Sequence, residues 1–385
     1  MKTFIKRLFT TLLLLVLLIV VAVGGYCGYI LLSYKRIGNT NLDVKQSATN
    51  SFVTTNEVYN ISTYNIGFGA YSQDFTFFLD TGYDANENET CGYYSKAKSK
   101  DEVLTNTNGA ISTMKNLDLD FMLLQEVDID STRSHHVNQN DLFTNEFSKY
   151  DNVFATNFDS AFLPYPLYDM HGKSKAGLST FSKYMINDAK RVEYTISDSL
   201  SKLFDLDRCF SVSKISVENG KSLYIINSHM SAYDEGGVIR QKQIQELNNF
   251  INSCYEKNDY VIVGGDFNHD LLTYNPEFDY TKTNRPFNNT LKDPDWVAAY
   301  FDENKNSPLN EHFKVVASDN SPTCRNNDIA WDPNITYRCV VDGFIVSDNI
   351  EVVTHYNIQT KNGNLGKDGF AYSDHEPAYL EFKLK

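Results

Sequence analysis

The sequence predicts a mixed α/β body that is preceded by one membrane-spanning helix. Three observations support this prediction. Residues 8–34 contain no charged side chain. Short apolar runs recur along the rest of the chain and end in Asn, Asp, Glu or His, a pattern typical of buried strands with polar ends. Residues 103–114 and 236–254 carry apolar side chains at helical spacing, which predicts helices that cover a sheet.

The overall composition excludes some classes of protein. A chain of 385 residues can hold one large domain or two ordinary ones. Hydrophobic residues make up 42% and aromatic residues 14%, which argues against intrinsic disorder. The formal charge of −14 disfavours a protein that coats nucleic acid non-specifically. A local phosphate site is still compatible with this charge, because a few cations or a bound metal can invert the potential of one cleft.

The uncharged run at the amino terminus is long enough to be a membrane anchor. At about 1.5 Å per residue, residues 8–34 exceed a hydrocarbon core of about 30 Å. Basic residues flank the run on both sides, so the bias toward an inside amino terminus is slight. Small residues at 22–24 leave a cleaved signal peptide as the alternative, but the run is longer than a usual signal sequence. We therefore expect a retained single-pass anchor in the cell membrane, with the body outside the cytoplasm.

The composition changes after the anchor, and it predicts three segments. Residues 1–36 would form a short cytoplasmic end and the anchor. Residues 37–57 are polar and lack apolar periodicity, which predicts a stalk. Residues 58–385 would form the folded body.

Polar residues follow four of the predicted inner strands. The clearest case is residues 261–270, V-I-V-G-G-D-F-N-H-D, where Asp266 and Asn268 follow a β-branched run. Residues 58–65 end in Asn65, residues 121–126 in Glu126, and residues 222–229 carry Asn227 and His229 at their end. Oxygen-rich and amide-bearing groups suit a hard divalent cation or a phosphate oxygen. The alternative is that these residues only form local turns or structural hydrogen bonds.

The remaining segments give further predictions. Residues 71–100 are a polar and aromatic insertion that could be a lid or a loop packed by its own aromatic residues. A capping box at Ser99 and Glu102 predicts that a helix starts there. Residues 176–184 and 340–347 predict strands, and residues 271–320 are loop-rich. Asp342 inside an apolar frame could hold the imidazole of His375, although either could be paired elsewhere.

The six cysteines do not form a metal or redox motif, because no C-x-x-C pair occurs among them. Cys324 and Cys339 bracket an irregular stretch, and a disulfide between them would be reasonable outside the cytoplasm. Two unrelated buried thiols are the alternative.

Six short motifs stand in one order along the body, and together they resemble the endonuclease/exonuclease/phosphatase superfamily. They are N at 65, Q-E at 125–126, N-S-H at 227–229, G-D-F-N at 265–268, D-G-F-I-V-S at 342–347 and S-D-H at 373–375. The superfamily includes DNase I-like nucleases, neutral sphingomyelinases and inositol polyphosphate 5-phosphatases. Each motif is weak alone, but the ordered set covers nearly the whole body.

The resemblance implies a fold and a set of residue roles. The fold would be a four-layered α/β sandwich, with two packed mixed sheets flanked by helices and a divalent-metal site at one rim. Mg²⁺ would be the cofactor, with Mn²⁺ or Ca²⁺ as alternatives. The implied metal ligands are Glu126, Asn65 and Asp374, and the implied catalytic residues are His375, Asp266, His229, Asn268 and Asp342. The general base would be either Asp266 or the pair of His375 and Asp342.

The resemblance is weaker around the substrate. The insertion at residues 71–100 makes the spacing between the first two motifs longer than expected for the superfamily. The substrate-contact position has no clear counterpart, and the candidates are Asn227, Arg208, Lys175, His171 and Tyr168.

The expected activity is a membrane-anchored phosphodiesterase or phosphatase that acts by in-line attack of water on phosphorus. Its substrate would be a lipid headgroup, a small phosphoester or nucleic acid, and we infer no protein partner. An extracellular DNase I-like endonuclease is the alternative, and a catalytically silent binding module is less favoured.

Overall fold

The two helices predicted from apolar spacing in the body are present, whereas a third, at Gln139–Glu146, was not predicted. The computed structural model describes residues 2–199, 202, 205–232, 237–278, 287 and 291–385. Its helices are α1 (Lys2–Ser33), α2 (Lys100–Asn116), α3 (Gln139–Glu146) and α4 (Val238–Tyr255), with 3₁₀ turns at Gly67–Gly69 and Thr132–Ser134. The predicted capping box is present, since the Glu102 amide donates to Ser99 Oγ at 3.1 Å and starts α2.

The strands form two seven-stranded mixed sheets and three small pairs. The first sheet has the spatial order β1 (Thr40–Asn41), β9 (Ile186–Glu193), β10 (Cys209–Ser216), β11 (Ser222–His229), β12 (Tyr260–Asp266), β18 (Asp342–Ser347), β15 (Phe313–Val316). The second has the order β19 (Ile350–Asn357), β20 (Ala378–Leu384), β3 (Tyr59–Asn65), β6 (Phe121–Asp128), β8 (Lys175–Ser182), β7 (Asp151–Asp159), β2 (Val44–Lys45). The small pairs are β4 (Thr81–Tyr83) with β5 (Glu89–Cys91), β13 (His269–Asp270) with β14 (Ala298–Ala299), and β16 (Cys324–Arg325) with β17 (Arg338–Cys339).

The two sheets pack face to face, and helices cover their outer faces. Ile61 and Leu123 from the second sheet meet Ile225 and Ile262 from the first in one fully buried cluster. The apolar face of α4 packs on the other side of the first sheet, and α2 and α3 pack on the other side of the second. The predicted four-layered α/β sandwich is therefore confirmed. The layers matter for function because they fix where the strands end.

One parallel strand pair lies at the centre of each sheet. β3 and β6 run parallel, so that Asn65 lies opposite Gln125. β11 and β12 also run parallel, so that His229 lies opposite Asp266. In each pair a helix, α2 or α4, forms the crossover that parallel pairing requires. Because the carboxyl ends of both pairs point to the same edge of the sandwich, the polar residues at those ends are brought together.

The segment predicted to be a polar stalk does not act as a spacer, so that prediction is wrong. β1 pairs with β9 at one edge of the first sheet, and β2 pairs with β7 at the edge of the second. Val53 is fully buried in the core between the sheets. Sequence periodicity could not reveal these strands, because each has two residues and is held by main-chain hydrogen bonds rather than by an apolar face. β15 was missed inside the stretch predicted to be loop-rich, because its four residues are too few to show a clear alternating pattern.

Helix α1 meets the test of length and composition for crossing a membrane. Its apolar window has a mean hydropathy of 2.8 and is unburied by the rest of the protein. A signal sequence near an amino terminus would meet the same test. At its carboxyl end the chain contacts the body at once, because Arg36 Nη1 lies 2.6 Å from Asp207 Oδ1.

The insertion at residues 71–100 is a loop packed by its own aromatic residues, which was the second of its two predicted alternatives. Tyr71, Phe75 and Phe77 pack with Phe68 in one buried cluster. Their ring centroids lie 5.0 to 6.5 Å apart, mostly edge to face, as aromatic pairs prefer. The Phe77 amide donates to Asn327 O at 2.9 Å, which fixes the insertion to the body.

Cys324 and Cys339 are free thiols, so the predicted disulfide is not formed. They are not unrelated thiols either, because they lie directly opposite each other where β16 pairs with β17. Contact with Cys339 and burial together raise the pKa of Cys324 well above its ordinary value. Both thiols are therefore held in their neutral form.

Candidate active site

Side chains from both sheets meet where the parallel strands end. Asn65 Nδ2 donates to Glu126 Oε1 at 3.2 Å and to Asp266 Oδ2 at 3.0 Å. His229 Nε2 lies 3.5 Å from the same Asp266 oxygen and 3.9 Å from Glu126 Oε1. His375 Nε2 lies 3.7 Å from Asp266 Oδ2. We call these five residues the polar rim. The sequence-based prediction that they converge is borne out in the structure.

Local backbone irregularities aim the two carboxylates of the polar rim. The pairing of β6 with β8 is interrupted between Leu124 and Val127, and Glu126 in this bulge has a φ of 53°. At Gly265, a Cβ atom would lie 2.0 Å from the carbonyl oxygen of Ser228. Glycine is therefore needed for β11 and β12 to come together just before Asp266.

Asn268 holds the turn that follows Asp266. Its amide N–H donates to Asp266 Oδ1 at 2.9 Å, and its Nδ2 donates to Met230 O at 2.9 Å. The positive φ of 51° is one that Asn tolerates better than most residues. Asn268, predicted to be catalytic, thus fixes the orientation of the Asp266 carboxylate.

Asp342 and His375 form a buried hydrogen-bonded pair. His375 Nδ1 lies 2.8 Å from Asp342 Oδ2, and the Asp342 carboxylate is fully buried. Burial alone would lower the pKa of His375, but the carboxylates of Asp342 and Asp266 and the thiol of Cys324 raise it well above its ordinary value. His375 is therefore held as the imidazolium, and its Nε2 faces Asp266.

Burial acts differently on the other members of the polar rim. Burial raises the pKa of Glu126, and the positive charge of Arg133 partly opposes this shift. Burial also raises the pKa of Asp266 to about 6, although His375 acts in the opposite direction. Burial, with the charge of Arg208, lowers the pKa of His229 well below its ordinary value. The rim thus combines two carboxylates whose charged forms are disfavoured by burial with one neutral and one charged imidazole.

The residues present fit a hard divalent cation. Glu126 and Asp266 are buried carboxylates that meet at one amide group, and each is destabilised in its charged form. The Glu126 side chain is 22% exposed, so part of it is accessible from solvent. Oxygen ligands and uncompensated negative charge are what Mg²⁺ or Ca²⁺ sites require.

The most compact set of ligand atoms differs from the predicted metal ligands. Among the described residues, atoms of Asp266, Asp342 and His375 lie within 4.8 Å of one another. Asp342 and His375 are already joined by their own hydrogen bond, which would compete with metal ligation. Asp374, predicted to be a ligand, accepts from Asn327 Nδ2 at 2.8 Å and raises the pKa of Glu126 through its charge.

The substrate-contact candidates occupy different places. His171 lines a large cleft beside the rim. Arg208 is 2% exposed, and its Nε and Nη1 have no hydrogen-bond partner among the described residues. Asn227 is a correction, because it is fully buried between the sheets, where its amide binds Leu124 O, Ser179 O and Gln125 Nε2. Lys175 and Tyr168 have no recorded contact with the polar rim, and Tyr168 instead stacks on Tyr93.

Arg133 lies close to the polar rim, and the sequence analysis did not single it out. Its Nη2 and Nε donate to Asp128 at 2.8 and 3.1 Å, and its guanidinium lies 4.0 Å from the centre of the Phe68 ring. Its charge acts on the pKa of both Glu126 and His229. The surrounding sequence, S-T-R-S-H-H, is polar and resembles an exposed loop, so no sequence signal marked it.

Comparison with known proteins gives a clear result at the level of the family. The model of the "Endonuclease/Exonuclease/phosphatase family" matches residues 63–375. No match to a curated protein was found.

Several solved structures share the fold. TDP2 of D. rerio, complexed with a single-strand DNA product, has a TM-score of 0.52 and 12% identity, with coverage of 85% of this chain and 100% of that one. ANGEL2, described as a 2′,3′-cyclic phosphatase, has a TM-score of 0.50 and 14% identity, with coverage of 90% and 99%. An endonuclease/exonuclease/phosphatase family protein from Leptotrichia buccalis has a TM-score of 0.50 and 13% identity, with coverage of 85% and 100%. At these identities the likeness concerns the fold.

Proposed function

This chain belongs to the endonuclease/exonuclease/phosphatase family of phosphoester hydrolases, and on that premise we propose that it is a membrane-anchored, Mg²⁺-dependent hydrolase of phosphoric esters. The observation that carries the proposal is that Asn65 donates to both Glu126 and Asp266, and that His229 lies within 3.9 Å of the same two carboxylates, across two different sheets. Five polar residues that are far apart in sequence would gain nothing structurally from sharing one buried edge. Their convergence supports a shared chemical task.

The proposed reaction is in-line attack of water on phosphorus. The water oxygen forms the new bond to phosphorus, while the bond between phosphorus and the leaving alcohol oxygen breaks. Asp266 takes the proton of the water, because Asn268 orients its carboxylate and His375 is already protonated through its pair with Asp342. The imidazolium of His375 then stabilises the charge that develops on the phosphoryl oxygens, and the leaving alcohol gains a proton from the site or solvent.

The metal would be held by Glu126, with Asn65 and Asp374 in support. Glu126 is the best placed carboxylate, because its side chain is 22% exposed, whereas that of Asp266 is 2% exposed, and its oxygen accepts from Asn65 at 3.2 Å. A divalent cation bound there would polarise the phosphoryl oxygens and offset negative charge. The buried His229 remains neutral and would contribute a hydrogen bond to phosphate rather than a charge.

The test uses the full chain in lipid nanodiscs and a small chromogenic phosphodiester, bis(p-nitrophenyl) phosphate. We expect hydrolysis that is abolished by EDTA and restored by Mg²⁺, and a loss on the order of 10³-fold in Glu126→Gln. Glu311→Gln, at an exposed position, is the matched control and should keep wild-type turnover. Equal activity of wild type and Glu126→Gln, or insensitivity to EDTA, would contradict the proposal. A folded wild-type protein without turnover would favour the silent binding module.

A further inference from the structure

A large aromatic cleft is lined at one end by Arg133 and Ser231, which are close to the polar rim, and at the other end by Tyr26 of helix α1. Its volume is about 1000 Å³, at the upper end of the range for ligand sites. Its walls are mainly apolar and come from the insertion, from residues 158–165 and from α1, including Phe68, Phe77, Phe78, Leu163 and Tyr165. This size and apolar lining exceed what a small ionic phosphoester would need.

The inner end of the cleft leads to the candidate active site. Arg133 lines the cleft, lies over Phe68 and acts electrostatically on Glu126. Ser231, another lining residue, follows Met230, whose amide donates to Asp266 O at 3.0 Å. A molecule with its phosphate at the polar rim would therefore have its next atoms in the cleft.

The outer end of the cleft lies against the carboxyl-terminal part of α1. Tyr26 lines the cleft, and its hydroxyl donates to Phe162 O at 2.9 Å. The hydroxyl of Tyr29 accepts from the Phe162 amide at 3.1 Å. Tyrosines at the end of an apolar helix are typical of the membrane interface, which places the opening of the cleft at that depth if α1 spans a bilayer.

The loop at residues 160–172 exposes an unusual amount of apolar surface around this opening. Leu167 is 77% exposed and Tyr165 is 65% exposed, and Phe162 and Met170 are 40% and 38% exposed. An apolar patch beside a membrane helix is expected to contact lipid rather than water. The packing of residues 37–57 on the body removes the spacer that would otherwise hold this loop away from the bilayer.

We propose that the aromatic cleft binds the hydrocarbon chain of a membrane lipid, and that the substrate is a phosphoester lipid taken from the adjoining leaflet. This inference rests on the proposed function, because the cleft matters only if the polar rim hydrolyses phosphoesters. The loop at residues 160–172 would touch the bilayer, the chain would lie along Phe77 and Phe78, and Arg133 would face the phosphate end. Water would be excluded from the apolar part of the cleft.

The first test distinguishes the contribution of the hydrocarbon chain from that of the phosphodiester group. The full chain, reconstituted in vesicles of a phosphate-free glycolipid, is given p-nitrophenyl phosphodiesters with a methyl, butyl or octyl group. We expect kcat/KM to rise with chain length by up to about fourfold per buried methylene. Leu79→Asp and Tyr165→Asp, at two exposed lining positions, should flatten this dependence, so that the ratio of kcat/KM for the octyl ester to that for the methyl ester falls toward one. Ile335→Asp, exposed but outside the lining, is the matched control.

The outcomes distinguish the inference from the function on which it rests. A methyl ester that wild type does not hydrolyse would overturn the proposed function. Two results would overturn only the lipid-chain site. In the first, wild type hydrolyses the esters without dependence on chain length. In the second, Leu79→Asp and Tyr165→Asp keep the wild-type dependence. A further arm compares phosphatidylcholine vesicles with plasmid DNA. Faster turnover of DNA would assign the site to a polynucleotide and contradict the lipid substrate.

Discussion

The polar rim and the aromatic insertion lie next to each other, but they are built by different means. The rim is charged, and four of its five side chains come from residues at or near the carboxyl ends of regular strands, while His375 lies just before β20. The insertion has little regular structure apart from the short pair β4 and β5, and it is held by ring packing and by contacts such as that of Phe77 with Asn327. Strands fix the positions of the side chains in the rim, whereas contacts between aromatic rings fix the positions of the side chains in the insertion.

This difference indicates a division of labour. A catalytic group needs its atoms held within fractions of an ångström, which regular strands provide. A site for a flexible, apolar chain needs area and exclusion of water, which aromatic residues that pack on one another can supply. We therefore expect changes in the rim to affect all substrates equally, and changes in the insertion to affect only those with a long apolar part.

The largest effect on stability is expected at Arg133, which belongs to both regions. Arg133→Met would leave the fully buried Asp128 without its partner, and breaking a buried ion pair in this way costs roughly 3–5 kcal/mol. The measurement is urea denaturation of the detergent-solubilised chain. The double variant Asp128→Leu with Arg133→Met should recover much of the loss, since no unpaired charge remains.

An exposed pair supplies the comparison for this experiment. Lys190 lies 3.5 Å from Asp188 with about half of each side chain exposed, so Lys190→Met should change the free energy of unfolding by less than about 1 kcal/mol. If Lys190→Met and Arg133→Met were equally destabilising, Arg133 would not join the two regions in the way that the structure indicates.

The contrast between the two regions also explains how much could be predicted from sequence. The strand ends were predictable because an apolar run followed by Asn65, Glu126, His229 or Asp266 is a local pattern, and the ordered motifs placed these residues in one family. The helix that starts at Ser99 was predictable from its capping box.

The features that were missed depend on contacts between distant segments. β1 and β2 carry no apolar pattern, and their pairing is visible only once β9 and β7 are in place. Asn227 lies in a family motif, but its burial between the sheets gives it a structural role. Arg133 and the aromatic cleft follow from packing of the insertion against residues 158–171, which no periodicity in the sequence encodes.

An intermediate effect is expected at Asp342, which touches only the rim. Asp342→Asn would keep the shape of the side chain but remove the charge that holds His375 protonated, so turnover should fall by about 10²-fold for short and long esters alike. Steady-state kinetics on the methyl and octyl diesters measure this. Asp348 makes a similar contact of 2.9 Å with His312 on the surface, and Asp348→Asn should leave both rates unchanged. A selective loss for the octyl ester would contradict the separation of rim and cleft.

The smallest effect is a pH dependence that comes from His171 in the wall of the cleft. Burial, with the charge of Arg133, lowers the pKa of His171 from 6.5 to about 4, so the folded protein keeps this imidazole neutral while it binds Ser95 O at 2.7 Å. The unfolded chain takes up a proton below pH 6.5, and the stability contributed by His171 is therefore lost as the pH falls from 6.5 toward 4. At pH 5 this loss is about 2 kcal/mol.

His171→Gln removes the titrating group, so its free energy of unfolding should fall less than that of wild type between pH 7 and pH 5. Urea denaturation at both values measures the difference, and His136→Gln, at an exposed position, should keep the wild-type slope. If wild type and His171→Gln instead lost stability in parallel, the wall of the cleft would admit the charged imidazole. The interior would then be wet, and the division between a charged rim and a dry apolar cleft would not hold.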